Sequence, residues 1–455
     1  MDLEKALIRR VLVPVAERIK RWPVRRYLRQ LQESEWWSRD QLRELQEQKL
    51  RTMIRHAYDT APFYRQLMDA RKLQPDDIRT TDDLRKLPIV TKELIRASFP
   101  DGIVSSLYNI GDLIQLASSG STGEPFKLVV SQDEQARRWA TQFRNWAWGG
   151  YNLGERYINI GGFPHRAFKH RPLLRKIEER ISFMTFLSAF ELHAGNAEEY
   201  ISRVTAFRPR MIYGYSSSLY YLAQVMQERG ASLRLKCIST TGETLFPFQR
   251  EPMESFYGCK VYDSYGGETM VVANQCGHGN TYHVNAESVI VEVVDADGNR
   301  CPPGVAGQVV LTDLNHFSMP FIRYNIQDVA VLSDRKCECG RQLPVMERIE
   351  GRLTDIGITP SGKSLVVHFF TGLFESYPVE VDSFQAVQES ADHLVLTIVP
   401  GKGLDQVEGQ ILRRTQEYVG QDVRVEIRRQ DSIPLGPGGK RRLFVSRSGM
   451  KAAGL

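Results

Sequence analysis

Between residues 116 and 131 the sequence reads LASSGSTGEPFKLVVS, with Ser118, Ser119, Gly120, Ser121, Thr122 and Gly123 in succession between two apolar runs. Hydroxyls and unhindered backbone N–H groups suit phosphate, whose oxygens need several donors at close range, and glycine lets the backbone approach. The spacing is not that of a Walker A loop, G-x-x-x-x-G-K-S/T. A surface linker has a similar composition, but the apolar flanks argue for a loop held between two strands. The second chemical set is sulfur. Cys337 and Cys339 stand one residue apart in KCECGR, and Cys276 lies in NQCGHGNTYHVN. Thiols at that spacing make an awkward disulfide and a natural metal clip. With Cys276 and one histidine, His278 or His283, they compose a Cys₃His set, a common structural zinc composition. Reduced, unpaired thiols are the alternative.

The elements that must position these groups follow from periodicity. Residues 1–110 read mainly as helices, with Ser38 or Asp40 as N-cap in the helically spaced stretch SRDQLRELQEQKLRTMIRHAYDTAPFYRQLMDA and Thr91 capping a short helix between Pro88 and Pro100. From residue 111 short apolar runs alternate with helical stretches: IQLAS and KLVVS flank the Gly/Ser loop, and RYINIGG, PRMIYGYSSSLYYLAQVMQERG, LKCISTTGE and CKVYDSYGGE each begin as a strand. Repeated strand–loop–helix units predict an α/β fold, with ligands beyond the carboxyl ends of the strands. The last hundred residues form an α+β unit, DHLVLTIVP, LDQVEGQILRRTQEYVG and DVRVEIRRQ, followed by the Gly/Pro-rich IPLGPGGKRR. The tryptophans at 139, 146 and 148 read as packing residues.

Composition narrows the class. The 455 residues are 42% hydrophobic and 25% charged, enough for a large core. A net charge of +6 does not mark a nucleic-acid binder at this size. No apolar run reaches the roughly 18 residues of a membrane span. Charges interrupt the N-terminus where a signal peptide would need an apolar core, and six cysteines are no disulfide framework, so a cytoplasmic protein is expected. The basic, apolar N-terminal segment ALIRRVLVPVAERIKRWPVRRYLRQL offers a peripheral membrane contact as the lesser reading and a helix docked on its own domain as the main one.

Further strand-end loops occur in order: STTGETL (239–245), YDSYGGET (262–269), RYNIQD (323–328), GRLTD (351–355) and a single lysine, Lys440, in LGPGGKRR. This succession resembles the adenylate-forming superfamily, which uses ATP to convert a carboxylate to an acyl-AMP. More narrowly it resembles the branch of phenylacetate–CoA ligases, coenzyme F390 synthetase and CapK, to which IYGYSSSLYYLA is also similar. The resemblance runs from about residue 40 to 446. It implies a large multi-sheet N-terminal domain, residues 1–351, with the helical segment 1–110 and a zinc-binding insertion around 276–340. A small mobile α+β domain, 352–455, would follow.

By the same resemblance, residues Ser118 to Gly123 would cradle the ATP phosphates. Gly242 and Glu243 would flank adenine, and Tyr265 and Gly266 would border it. Glu268 would hold Mg²⁺, a hard ion that takes carboxylate oxygens. Asp328 would accept from the ribose hydroxyls, Arg352 would assist at the hinge, and Lys440 would bridge carboxylate and α-phosphate. The YGGE stretch has one residue fewer than the family's usual spacing, read as a deletion that leaves Glu268 in place. Thr354 stands where the hinge acid is usual. His283 is the preferred fourth zinc ligand because related sequences carry Cys and His at that separation, with His278 the competitor. Tyr213, Gly214 and Tyr215, with Ser216, end a strand beside these loops and are candidates for the acyl pocket. His165 and His170 fit a pocket wall or a solvated loop. The implied activity is ATP-dependent activation of a carboxylic acid, then acyl transfer to a thiol, most simply coenzyme A. Acyl transfer to an amine, AMP transfer to a hydroxyl in secondary metabolism or capsular polysaccharide synthesis, and a nucleotide-binding protein without turnover are the alternatives. The acid and the oligomeric state are not legible.

Overall fold

The computed structural model describes residues 22–118, 126–161, 183–189, 196–352, 356–361, 363–374, 376–377, 379–434 and 442–447, with single positions 14 and 17. Helices dominate the N-terminal part: Val24–Ser34, Arg39–Thr60, Pro62–Asp69 and Lys92–Ser98. Ser38, rather than Asp40, opens the second of these. Its hydroxyl accepts from the Gln41 N–H, and the Gln41 side chain accepts from the Ser38 N–H, a reciprocal cap. Thr91 opens the fourth by accepting from the Leu94 N–H. The second helix buries Leu50, Met53, Ile54 and Ala57 in the same core as Phe126, Phe321 and Tyr324.

Strands β1 (Ile114–Ser118) and β2 (Phe126–Val130) form an antiparallel pair in which Ser118 faces Phe126, so residues 119–125 join two paired strand ends. The large sheet has eleven strands: β3 (Tyr157–Gly161), β4 (Met184–Ser188), β5 (Met211–Gly214), β6 (Cys237–Thr241), β7 (Val261–Gly267), β8 (Met270–Gln275), β9 (Tyr282–Val284), β10 (Val289–Val294), β11 (Ala306–Asp313), β12 (Tyr324–Ser333) and β13 (Val345–Arg352). Their order is β10-β11-β12-β13-β9-β8-β7-β6-β5-β3-β4. The stretch β4-β3-β5-β6-β7 is parallel. Helices Ala197–Phe207, Ser216–Glu228 and Pro247–Tyr257 cover it with a core of Ile158, Ile160, Val204, Leu222 and Ile238. The remaining strands are antiparallel. The sheet curls on itself: Gly267, at the end of β7, packs so closely on Ile326 of β12 that a Cβ there would lie 2.4 Å from its Cδ1.

Toward the C-terminus, β14 (Ile356–Ile358) pairs with β15 (Ser364–Val366). A four-stranded sheet follows, β16 (Val381–Ser390), β17 (His393–Pro400), β18 (Arg424–Arg429) and β19 (Phe444–Ser446), in the order β18-β17-β16-β19. Helices Val367–Phe374 and Leu404–Val419 bury Phe370 and Ile411 against Leu394, Leu396, Ile398 and Phe444. Phe246 and Phe248, from the start of helix Pro247–Tyr257, join this cluster and so connect it to the large sheet. No helix among the described residues is long and apolar enough to cross a membrane.

Candidate functional site

The hairpin β7–β8 turns through two residues, Glu268 and Thr269, since Gly267 pairs with Met270. Glu268 takes the first turn position with φ of 54°, a left-handed conformation that glycine, asparagine or aspartate normally fills. A glutamate held there is strained, and such strain gathers at functional sites. Its side chain is 7% exposed. Oε1 accepts from Lys92 Nζ at 3.1 Å and from the Tyr324 hydroxyl at 3.2 Å, while Oε2 is buried with no hydrogen-bond partner among the described residues. An unpaired buried carboxylate oxygen is costly unless something outside the chain meets it. Burial and the Glu268 charge push the Tyr324 phenol far above its ordinary pKa, so it stays a donor.

Four strands along, Asp328 lies on β12 opposite Arg352 of β13. Its Oδ2 accepts from the Tyr265 hydroxyl at 2.8 Å across the curl of the sheet. Gln327, just before it, has φ of 67°. Phe126 ties the cluster to the Gly/Ser loop. It is the first residue after 119–125, Lys92 Nζ stands 4.7 Å over its ring, and its ring is stacked on Tyr324 at 6.5 Å. Strand β2, which follows the loop, therefore begins beside the ion pair of Lys92 and Glu268. Ser118 ends β1; the candidates Ser119, Gly120, Ser121, Thr122 and Gly123 lie outside the described residues, as do Lys440, His165 and His170.

The other nucleotide-side candidates have packing duties. Gly242 has φ of 74°, which turns the chain after β6. Glu243 holds a helix start: Oε2 accepts from the Ser217 N–H at 2.9 Å and the Ser216 hydroxyl at 3.2 Å, placing an anion at the start of helix Ser216–Glu228. Gly266 sits at a register shift, where a Cβ would come within 2.2 Å of the Met270 carbonyl. Gly214 packs β5 on β3, with the Ile160 carbonyl 2.1 Å from where a Cβ would be. Tyr213 lies 5.1 Å from Trp146, and burial raises its pKa, which keeps the phenol neutral. Tyr215 precedes helix Ser216–Glu228 and packs on the core over β3, β5 and β6.

Cys276, His283, Cys337 and Cys339 bring their ligand atoms within 4.8 Å of one another. Cys276 Sγ and Cys337 Sγ are 3.6 Å apart, and His283 Nε2 is 3.1 Å from Cys339 Sγ. A disulfide would need about 2.05 Å. A tetrahedron with metal–sulfur bonds of about 2.3 Å has sulfur–sulfur edges of about 3.8 Å, near the observed separation. His278 is exposed and gives the cluster its carbonyl, which Cys337 meets at 3.9 Å, rather than its ring. Burial and the Arg341 charge push His283 down to about 4, so its imidazole is neutral and free to ligate. Burial pushes the Cys276 thiol up to about 12. Burial also acts upward on Cys339, but backbone and side-chain hydrogen bonds from Arg341 outweigh it and lower that thiol.

Trp148, taken from the sequence as a packing residue, organises this corner. Its ring meets His283 edge-on at 5.6 Å, its Nε1–H donates to Glu35 at 2.8 Å, and the guanidinium carbons of Arg144 and Arg341 lie 4.8 and 4.7 Å from its centroid. Arg144, wholly buried, pairs with Glu287 at 3.1 Å and donates to Asn285 at 2.6 Å. Lys92, Tyr324 and Arg341 went unnoticed in the sequence. The one available signal was Lys92 following the cap Thr91, which fixes a cation in the first turn of a helix.

Comparison with known proteins gives this arrangement its relatives. Residues 358–447 match the model of the CapK C-terminal domain. The chain is 27% identical over 446 residues to phenylacetate-coenzyme A ligase of Escherichia coli, covering 90% of this chain and 96% of that protein. It is 26% identical over 385 residues to the enzyme of that name in Thermus thermophilus, covering 83% and 82%. Protein CapK of Staphylococcus aureus is 22% identical over 414 residues, with 89% of each chain covered. Among solved structures, 2-hydroxyisobutyryl-CoA ligase in its postadenylation state superposes with a TM-score of 0.76 at 21% identity, over 91% of both chains. The chain is thus similar to phenylacetate-coenzyme A ligases and to CapK over most of its length, shares the fold of 2-hydroxyisobutyryl-CoA ligase, and matches the CapK C-terminal domain at residues 358–447.

Proposed function

We propose that this chain is an ATP-dependent ligase that activates a carboxylic acid as its acyl-AMP and transfers the acyl group to the thiol of coenzyme A. The observation that carries this reading is a pair of carboxylates around Tyr324: Glu268, which accepts from its hydroxyl and from Lys92 beside Phe126 at the start of β2, and Asp328, which accepts from Tyr265 and lies within electrostatic reach of Tyr324. An unpaired buried carboxylate oxygen, a second carboxylate held by a phenol and a hydroxyl-rich loop supply what a nucleoside triphosphate needs: acceptors for a cation and for ribose, and donors for phosphate.

In the first half-reaction a carboxylate oxygen attacks the α-phosphorus, and the bond to the β-phosphate oxygen breaks to release pyrophosphate. In the second, the thiolate sulfur attacks the acyl carbon and AMP leaves. Ser119, Ser121 and Thr122, with backbone N–H groups, bind the phosphates, and Asp328 takes the ribose hydroxyls. Gly242 turns the chain beside the adenine. Lys440, from the Gly/Pro loop before β19, neutralises charge at the α-phosphate, and rotation near residues 351–355 withdraws it between steps, with Arg352 on the hinge. Tyr213, Gly214 and Tyr215 lie beside the acyl group. Magnesium, held through Glu268, would screen the phosphate charge. The curated relatives named phenylacetate-coenzyme A ligase support coenzyme A as acceptor. So does 2-hydroxyisobutyryl-CoA ligase, solved with 2-HIB-AMP and CoA in its thioester-forming state.

Cys276, His283, Cys337 and Cys339 fit structural zinc: three sulfurs and one neutral imidazole complete a tetrahedral shell and leave no open position. The reading is tested by ATP–pyrophosphate exchange over a panel of carboxylic acids, followed by product analysis with coenzyme A. Acid-dependent exchange and an acyl-CoA product are expected; exchange with no thioester formed moves the acceptor to an amine or hydroxyl, and no exchange with any acid overturns the reading.

A further inference from the structure

Helix Gln132–Trp148 carries three arginines, and they differ in what holds them. Arg137 donates to Asp133 at 2.9 Å and to the Tyr27 hydroxyl at 2.9 Å. Arg144 is paired with Glu287 and Asn285. Arg138, between them, makes no hydrogen bond and no ion pair among the described residues. It lines a cavity with Gln135, Thr141, Thr269, Met270 and Val271, so the cavity runs from the helix to the turn that holds Glu268. Gln135 Oε1 is buried with no hydrogen-bond partner among the described residues. Tyr213, beside the acyl group in the reading above, is within electrostatic reach of Arg138. Arg138 is half-buried, and partial desolvation holds its guanidinium below its ordinary pKa.

The two acids on the cavity wall are already spoken for. Glu134 accepts from Ser318 through both its oxygens and from the Ser131 N–H. Asp313 accepts from the Asn315 N–H, and burial raises its pKa. The cavity is small, ≈ 40 Å³ as measured by the centres of water-sized spheres. That is room for about three waters or one carboxylate, and not for a nucleotide.

We infer that the acid this enzyme activates carries a second carboxylate at its far end, received by Arg138 with the Gln135 amide beside it. A guanidinium presents paired N–H donors that match two carboxylate oxygens. The Gln135 amide can turn over to offer its NH₂, since its two ends are nearly isosteric. Recognition at this depth lets a charged group that would be expelled from an apolar pocket become the selected one. The inference rests on the acyl-adenylation reading and adds the substrate class.

The test compares three acids of equal chain length, an unsubstituted monoacid, the ω-hydroxy acid and the ω-carboxy diacid, by kcat/KM in ATP–pyrophosphate exchange without coenzyme A. The wild-type protein is expected to favour the diacid over the monoacid by about tenfold or more, as a charge-assisted hydrogen-bonded pair provides. Arg138→Leu should collapse that ratio to near one, and Arg138→Lys should restore part of it. Melting temperatures of both variants check the fold, and a diacid-dependent rise in melting temperature, seen in wild type and lost in Arg138→Leu, gives a readout apart from turnover. A preference for the monoacid or the hydroxy acid, or a diacid preference that survives Arg138→Leu, overturns the inference. In a separate thioester-forming assay, a raised KM for coenzyme A in Arg138→Leu with unchanged acid selectivity also overturns it and assigns Arg138 to a cofactor phosphate. Exchange with none of the acids overturns the adenylation reading itself, and this inference with it.

Discussion

Tyr265 and Asp328 stand on β7 and β12, with three strands between them in the order of the sheet, yet the Tyr265 phenol donates to Asp328 Oδ2 at 2.8 Å. The curl that makes this possible is sealed by Gly267 against Ile326. A carboxylate that must present both oxygens to a ribose gains a fixed rotamer from such a donor. Tyr265→Phe removes the hydroxyl and keeps the ring. Hydrogen bonds to charged groups contribute about 1.5–3 kcal/mol, so KM for ATP should rise about tenfold or more with little change in limiting rate. Steady-state exchange at varied ATP reads this directly; an unchanged KM would detach Tyr265 from nucleotide binding.

Glu268 is held by Lys92 and Tyr324 through one oxygen, leaving the other unmet among the described residues. Glu268→Gln keeps the shape and the strained turn while removing the charge. Exchange should fall by about a hundredfold, as for loss of a preorganised charge at a phosphoryl centre, and the magnesium concentration for half-maximal rate should rise. If the variant keeps wild-type magnesium dependence, the cation is held elsewhere.

Lys440 is assigned to the first half-reaction alone. Lys440→Ala should abolish ATP–pyrophosphate exchange while sparing formation of thioester from supplied acyl-AMP and coenzyme A. Loss of both activities, with the protein folded, would show a general rather than a step-specific role.

What could be read from the letters was what is local. Ser38 and Thr91 as caps, and the strands that flank 119–125, follow from composition within a dozen residues. The cysteine clip is nearly as local, because Cys337 and Cys339 are neighbours; only the distant Cys276 and the choice of His283 over His278 needed the β8–β9 pairing to bring them together. Lys92 was out of reach for the opposite reason: its partner Glu268 lies 176 residues on. Glu243 shows the limit of local reading: Oε2 serves the start of helix Ser216–Glu228, and a carboxylate in a Gly/Thr loop looks the same in the letters whether it serves a helix start or a ligand. Trp148 packs as the sequence suggested, but only the fold sets His283 against its ring.

The Cys₃His cluster ties the β8–β9 connection to the segment after β12, and Trp148 leans on its histidine. Purified protein should carry about one equivalent of zinc per chain by metal analysis. Cys339→Ser should lose it, lower the melting temperature and shift tryptophan emission, since Trp148 loses its ordered neighbour. Removal by a strong chelator should reproduce all three effects in the wild type. Metal-free protein with an unchanged melting curve would reduce the four residues to reduced thiols and a buried imidazole.

Lys49 provides a pH test that is independent of the site. Its ammonium donates to the Glu287 carbonyl at 2.6 Å and to Asn315 Oδ1 at 3.1 Å. Burial, with the nearby Arg137 charge, pushes its pKa down to about 8, against about 10.4 in an unfolded chain. Below pH 8 the lysine is charged in both states, and the folded protein bears the full cost of burying the cation. Between about pH 8 and 10.4 the folded state sheds a proton that the unfolded state keeps, so stability rises with pH through this group. The neutral amine retains donors for both its partners. Lys49→Met has no such titration. The stability of wild type minus that of Lys49→Met, from urea unfolding, should therefore move in favour of the wild type as pH goes from 7.5 to 10. Taking the difference cancels the thiols and tyrosines that both proteins share. A difference that stays flat across that range would mean that Lys49 keeps an ordinary pKa and is wetter than its neighbours Glu287 and Asn315 imply.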